Sequence, residues 1–278
     1  MVGATSWGLK RLCAAMDDPH PMPAMMVIAA HPDDEVVGAG SRLLRLRQAT
    51  FFHLTDGAPR DRHDAAMAGC ATRLDYVLER RRELVAALAL AGIGPGQAQT
   101  LGYVDQEAAF HLVDATRRVA ALLHDRRPEV VITHPYEGGH PDHDATAFAA
   151  HAACRLLEQQ GRRPPALIEM TSYHQGPQGI EVYEFLRYAG YEATTLVLST
   201  AERAFKRRLL DCFPTQRRTL AWFPIGTERF RPAPPYNFTQ PPHQGALFYE
   251  HFPWGMTGER FRALARQAMD TLGITGAV

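Results

Sequence analysis

An α/β fold, a Rossmann-like three-layer sandwich with a mostly parallel central sheet, is predicted by two observations. Short apolar runs alternate with longer stretches of helical periodicity from residue 25 to 160, the pattern of βαβ units. Two dense polar clusters each follow an apolar run and precede a helical stretch. Open parallel sheets present ligands there, beyond the carboxyl ends of their strands.

The apolar run MMVIAA (25–30) reads as a buried strand, and VVGAGSRLLRLRQ (36–48) as the helix after it. TFFHLT (50–55) is a second strand. Residues 74–92 place apolar side chains at helical spacing and stop at Gly92, a C-terminal cap. QTLGYVD (99–105) is a short strand running into a loop. Residues 112–127 form a helix stopped by Pro128, EVVITH (129–134) a strand, and 144–160 a helix. Further on, 166–173 and 193–199 read as strands, and 201–222 as a helix that Pro214 must break. The proline-rich stretch 231–245 is expected to be irregular, a lid or an oligomer contact, and a helix over 257–272 ends the pattern. Residues 1–24 read as an N-terminal extension with a short helix over 6–16, and 25–278 as a single domain.

Composition narrows the function. Thirty basic residues balance thirty acidic ones, so no net field draws the chain to nucleic acid or an anionic membrane. The four cysteines form no Cys-x-x-Cys pair, which argues against a thiolate zinc site or a disulfide framework and fits a reducing compartment. No stretch approaches the ~20 apolar residues of a membrane span. A cytoplasmic protein acting on a small molecule is expected, with homo-oligomerisation left open.

The chemistry lies in the two clusters. The first is His31-Pro32-Asp33-Asp34-Glu35. The second, HPYEGGHPDHD, holds His134, Glu137, His140, Asp142, His143 and Asp144. Imidazole nitrogen and carboxylate oxygen together suit a divalent cation such as zinc. His31 and Asp34 are three apart, on one side of a turn, and one imidazole of the second cluster would complete a His2Asp set. Such a cation lowers the pKa of a bound water to roughly 7. A neighbouring carboxylate such as Asp33 can accept its proton, and a second imidazole can stabilise an oxyanion.

AHPDDE followed by HPDH resembles the PIG-L / LmbE-like metal-dependent N-acetylglucosaminyl deacetylases, over about residues 25–220. The resemblance implies His31, Asp34 and His143 as ligands of one Zn2+, other divalent metals being acceptable. It implies Asp33 as general base and a protonated His140, oriented by Asp142, facing the oxyanion or the leaving amine. LTDGA (54–58) is similar to the family's Thr-x-Gly stretch. The helix RRRELVAALALAGI and the turn LGYVDQ map Arg80, Glu83 and Asp105 onto substrate-facing positions. The implied activity is removal of an N-acyl group, chiefly N-acetyl, from a glucosamine-containing small molecule. The alternative is hydration of a small unsaturated carboxylic acid on the same scaffold, for which Arg60 and Arg62 would supply cationic contacts. Where some relatives carry an aromatic residue before the first histidine of the second motif, this chain has Gly139, and the nearest aromatic is Tyr136. His134 is expected to support the ligands rather than join them, and His251, late in the chain, is a lesser candidate to reach the site.

Overall fold

In the computed structural model, residues 2–16 and 18–278 are described. The strands are β1 (Met25–Ala29), β2 (Thr50–Pro59), β3 (Ala98–Asp105), β4 (Val130–Thr133), β5 (Ala166–Met170), β6 (Tyr173–Gly176), β7 (Gly179–Val182), β8 (Thr194–Val197) and β9 (Thr227–Pro232). The helices are α1 (Val2–Leu12), α2 (Asp34–Ala39), α3 (His63–Met67), α4 (Arg73–Leu90), α5 (Leu112–Arg126), α6 (Pro141–Gln159), α7 (Thr200–Leu210), α8 (Arg217–Leu220) and α9 (Gly258–Leu272). A mostly parallel sheet of seven strands, in the order β3-β2-β1-β4-β5-β9-β8, forms the middle layer. β3 to β5 in that order pair in parallel, and β9 runs antiparallel between β5 and β8.

Strand side chains alternate between two faces, and both faces are buried. Met26, Ile28, Phe52, Leu54 and Val131 pack against α5, α6 and α9. Met25, Val27, Ala29, Phe51, Val130 and Ile132 pack against α1, α2, α4 and α7. That two-sided burial is why these strands read as continuous apolar runs. Each fully buried large side chain contributes roughly 1.5–3 kcal/mol. The N-terminal helix shares this core: Leu12 is fully buried, and Gly8 approaches Val130 so closely that a Cβ would lie 2.6 Å from its Cγ2.

Helix ends follow local chemistry. α4 begins with a reciprocal cap between Thr72 and Asp75 and stops at Gly92, which takes a left-handed φ of 74°. α5 stops before Pro128, with Arg127 left-handed. α6 starts at Pro141, three residues earlier than the sequence pattern suggested, because proline suits the first helical position and His140 caps the turn. The helix expected over 36–48 is cut short at Ala39 and tightens into a 3-10 turn at Gly40–Arg42. There the Ser41 N–H and hydroxyl both donate to Glu228, at 2.8 and 2.5 Å. Pro214 ends α7 as anticipated, with a 3-10 turn at Pro214–Gln216 before α8.

Two features departed from the sequence reading. β9 enters the stretch expected to be irregular, and β6 pairs with β7 as a separate hairpin. β9 escaped notice because its inward residues include Glu228 and Arg231. Both are buried, Glu228 against Lys206 Nζ at 2.8 Å and Arg231 against Glu169 at 2.7 Å.

Candidate metal centre

The sheet order places the two polar clusters side by side. β1 pairs with β2 on one flank and β4 on the other, so the chain reverses its direction of travel between β1 and β4. That switch point opens a crevice at the strands' carboxyl ends. His31 leaves β1 into it, Asp105 ends β3, His134 follows β4, and α6 carries His143 in its first turn.

His31, Asp34 and His143 each offer one ligand atom, all within 4.8 Å of one another. Asp34 Oδ1 lies 3.2 Å from His143 Nε2, and Asp34 Oδ2 lies 3.5 Å from His31 Nδ1. All three are buried. Asp34 Oδ2 also accepts the N–H of His31 at 2.7 Å and of Ala30 at 3.1 Å, which fixes the carboxylate. His134 Nε2 is 3.1 Å from the same oxygen, and its ring stacks on His143 with centroids 4.1 Å apart. It supports the cluster from behind, as the sequence suggested. Burial and then His143 push its pKa down to about 4, so it stays neutral.

The electrostatics ask for a cation. Burial would push the His31 pKa down, yet the carboxylates of Asp105, Asp142 and Asp34 outweigh it and hold His31 well above its ordinary value. Two imidazole nitrogens and a carboxylate are a donor set that fits a borderline divalent ion. His31, Asp105, His140 and Asp142 satisfy the same closeness on the other side of the His31 ring.

Asp33 sits beside this set, buried and 3.1 Å from Arg80 Nη2. Burial pushes its carboxyl up to about 7, against the pull of Arg80. Arg80 is itself 2 % exposed, its charge taken up inside the crevice wall. Its Nη2 also donates to the Pro32 carbonyl at 3.0 Å. Glu83 turns away from the crevice and accepts the N–H and hydroxyl of Thr215 at 2.8 and 2.6 Å. Gly57, with φ 68°, lets β2 pass beside the motif: a Cβ there would lie 2.8 Å from Pro32 Cδ.

His140 accepts the Asp142 N–H at Nδ1, at 3.2 Å, which leaves its ring hydrogen on Nε2. Burial and then His31 hold its pKa well below the ordinary value. The structure therefore places a neutral N–H donor where the sequence suggested an imidazolium. Asp142 Oδ2 is 3.9 Å from His140 Nδ1 but 3.2 Å from His31 Nε2, so it braces His31 more closely. The same carboxylate accepts the N–H groups of Gln106 and Ala108 at 2.6 and 3.0 Å, tying the loop after β3 to α6. Asp105 Oδ1 lies 3.1 Å from His31 Nε2 and 3.9 Å from His140 Nε2.

Glu35, the remaining acid of the first cluster, is fully buried on His53 Nε2 at 2.9 Å and fastens α2 to β2. Tyr136 does not enter the site: its hydroxyl donates to the Gln240 carbonyl, and its ring packs on Phe238. Gly139 has no room for a side chain, since a Cβ would lie 2.0 Å from the Tyr173 carbonyl oxygen. His251 lines a separate groove with His174 and His243.

The crevice widens into a cleft of about 550 Å³. One rim carries Asp61, His63 and Asp64. The other is an arc of aromatic rings that the sequence reading missed. It starts on His143 with Tyr173, centroids 5.6 Å apart, and passes to Phe248 at 5.3 Å with Trp222 alongside. It continues to Phe252 at 5.3 Å and Trp254 at 4.5 Å, and closes on His140 at 4.7 Å. Apart from Tyr173, which opens β6, these rings lie outside the strands and α-helices and have no periodic spacing, so no local pattern announced them.

Residues 26–154 match the model of the PIG-L family, described as GlcNAc-PI de-N-acetylase. A 1D-myo-inositol 2-acetamido-2-deoxy-alpha-D-glucopyranoside deacetylase of Streptomyces avermitilis is 28% identical over 163 residues, covering 50% of this chain and 55% of that protein. A probable N-acetyl-alpha-D-glucosaminyl L-malate deacetylase 2 of Bacillus anthracis is also 28% identical, covering 56% of this chain and 70% of its own length. The chain thus spans about half the length of the first of these relatives. The crystal structure of the A40926 pseudoaglycone deacetylase Dbv21 superposes with a TM-score of 0.56 at 20% identity, over 76% of this chain and 96% of that one, a likeness of fold. Taken with the two clusters meeting at the switch point, these matches make residues 26–154 similar to the PIG-L, GlcNAc-PI de-N-acetylase, family.

Proposed function

We propose that the chain is a zinc-dependent N-deacylase that removes an acetyl group from the 2-amino nitrogen of a glucosamine-containing small molecule. The observation that carries this reading is Asp33, a buried carboxyl with raised affinity for a proton, set beside the His31, Asp34 and His143 donor set. The names of the curated relatives point the same way.

His31, Asp34 and His143 would hold the ion, which when bound acidifies a water and polarises the amide carbonyl. Asp33 accepts the proton of the attacking water, held in place by Arg80. The His140 Nε2–H donates to the oxygen that gains charge as the carbonyl carbon becomes tetrahedral. Asp33 then returns the proton to the departing nitrogen, so acetate and a free amine leave. Asp105 and Asp142 keep the His31 and His140 rings in orientation.

Hydration of an unsaturated acid fits less well. Arg60 is paired with Glu107 at 2.6 Å, and Arg62 donates to the Ala71 carbonyl. Neither lines the cleft. Among the described residues no helix is long and apolar enough to cross a membrane. The test is incubation of the zinc-loaded protein with a panel of N-acetylated amino sugars, reading new primary amine and acetate. Amine and acetate in equal amounts support the proposal, and a failure to release either from every member removes it.

A further inference from the structure

Granting that reading of the site, we infer that the aromatic arc is a subsite for an apolar, uncharged group carried on the amine side of the substrate, the aglycone of an N-acetylglucosaminide. Three observations combine. First, the arc is continuous, from Tyr173 on His143 to Trp254 on His140, and it lines the same cleft as the metal centre. Second, it is open to a ligand: Trp222 is 47% exposed, while Phe252 and Trp254 stack at 11° and present a flat wall. An exposed aromatic surface of this kind costs solvation in the free protein and marks a place where apolar surface is to be covered. Third, the charges around it select the ligand. Asp61, Asp64, Asp33, Asp34 and Asp105 line the same cleft, and Arg80 is held by Asp33. A carboxylate or phosphate on the substrate would face this acid, with the Arg80 guanidinium already paired to Asp33.

The direction follows from His140. In the proposed reaction its Nε2–H meets the amide oxygen, and Trp254 lies against its ring. The group leaving with the nitrogen therefore runs out over Trp254 and Phe252 towards Trp222. The aromatic residues all lie beyond residue 154, outside the stretch shared with the family. The chain can thus keep the family's chemistry while accepting an aglycone unlike the inositol or malate named in its relatives.

The test compares four neutral or charged substrates on the zinc-loaded protein: methyl and octyl N-acetylglucosaminides, a carboxyalkyl N-acetylglucosaminide of the octyl compound's length, and N-octanoylglucosamine. The expected result is a kcat/KM for the octyl glycoside at least roughly tenfold above the methyl and carboxyalkyl glycosides, since one good ring contact is worth about that factor. Trp222→Ala should collapse the octyl-to-methyl ratio, mainly through KM. Tryptophan fluorescence, titrated with the octyl glycoside, reads binding independently of turnover. Equal turnover of all glycosides overturns the subsite and leaves the deacetylase standing. A preference for N-octanoylglucosamine would assign the wall to the acyl side and overturn the inference as stated. If nothing is hydrolysed but the octyl glycoside binds, and Trp222→Ala abolishes binding, the subsite stands and the deacetylase falls. No turnover and no binding removes both.

Discussion

Arg80 Nη2 lies 3.1 Å from Asp33 Oδ2 and 3.0 Å from the Pro32 carbonyl oxygen, with both side chains buried. One guanidinium thereby fixes the backbone and the carboxylate of the first motif together. Arg80→Gln should lower kcat by about 10–100-fold, the usual cost of losing a group that orients a metal site. Bound zinc, measured by elemental analysis, should stay near that of the parent protein. Undiminished kcat would return Arg80 to the role of a bystander.

Ligand and base should separate cleanly. His143→Ala is expected to lose bound metal, because Asp34 and His31 alone leave the ion two protein donors where a catalytic site keeps three. Asp33→Ala is expected to keep its metal while turnover falls by about 10²–10⁴, the range for loss of a general base. Dialysis followed by metal analysis, together with amine release, distinguishes them. Full zinc occupancy in His143→Ala would contradict the ligand set.

The tight passage at Gly139 gives a steric prediction. A Cβ there would lie 2.0 Å from the Tyr173 carbonyl oxygen, so Gly139→Ala must push the β6 strand or the second motif aside. Overpacking of this kind costs about 1–3 kcal/mol. Displacement of the adjacent His140 should also lower kcat. A thermal melt unchanged from the parent would show that the loop yields without strain.

Lys206 and Glu228 are both fully buried, 2.8 Å apart, and Lys206 Nζ also donates to the Val37 carbonyl at 2.7 Å. Lys206→Met should cost about 3–5 kcal/mol, the penalty for stranding a buried charge, read as a lower urea midpoint. Glu228→Gln added to that variant should recover part of the loss. If the single variant melts like the parent, the pair contributes nothing to α7 and β9.

Much of this was legible in the sequence, for reasons that the structure makes plain. β1, β2 and β4 are covered on both faces, so their apolar runs declare them. His31 and Asp34 share one turn, and His143 belongs to a compact second motif after a strand. What stayed hidden depends on distant partners. Glu228 and Arg231 look like surface charges until Lys206 and Glu169 are beside them. The hold of Asp142 on the N–H groups of Gln106 and Ala108 joins segments with no shared local pattern. The aromatic arc, beyond Tyr173 in β6, lies outside the strands and α-helices, where irregular spacing carries no signal of a common surface.

The division between the floor of the cleft and its aromatic wall has a practical consequence. The groups that would act on the amide in the proposed reaction come from His31 to His143, and the rings from Tyr173 to Trp254. Reactivity and selectivity are thus inherited on separate lengths of polypeptide. A graft of residues 216–254 between relatives could transplant a preference for one glycoside without redrawing the catalytic constellation.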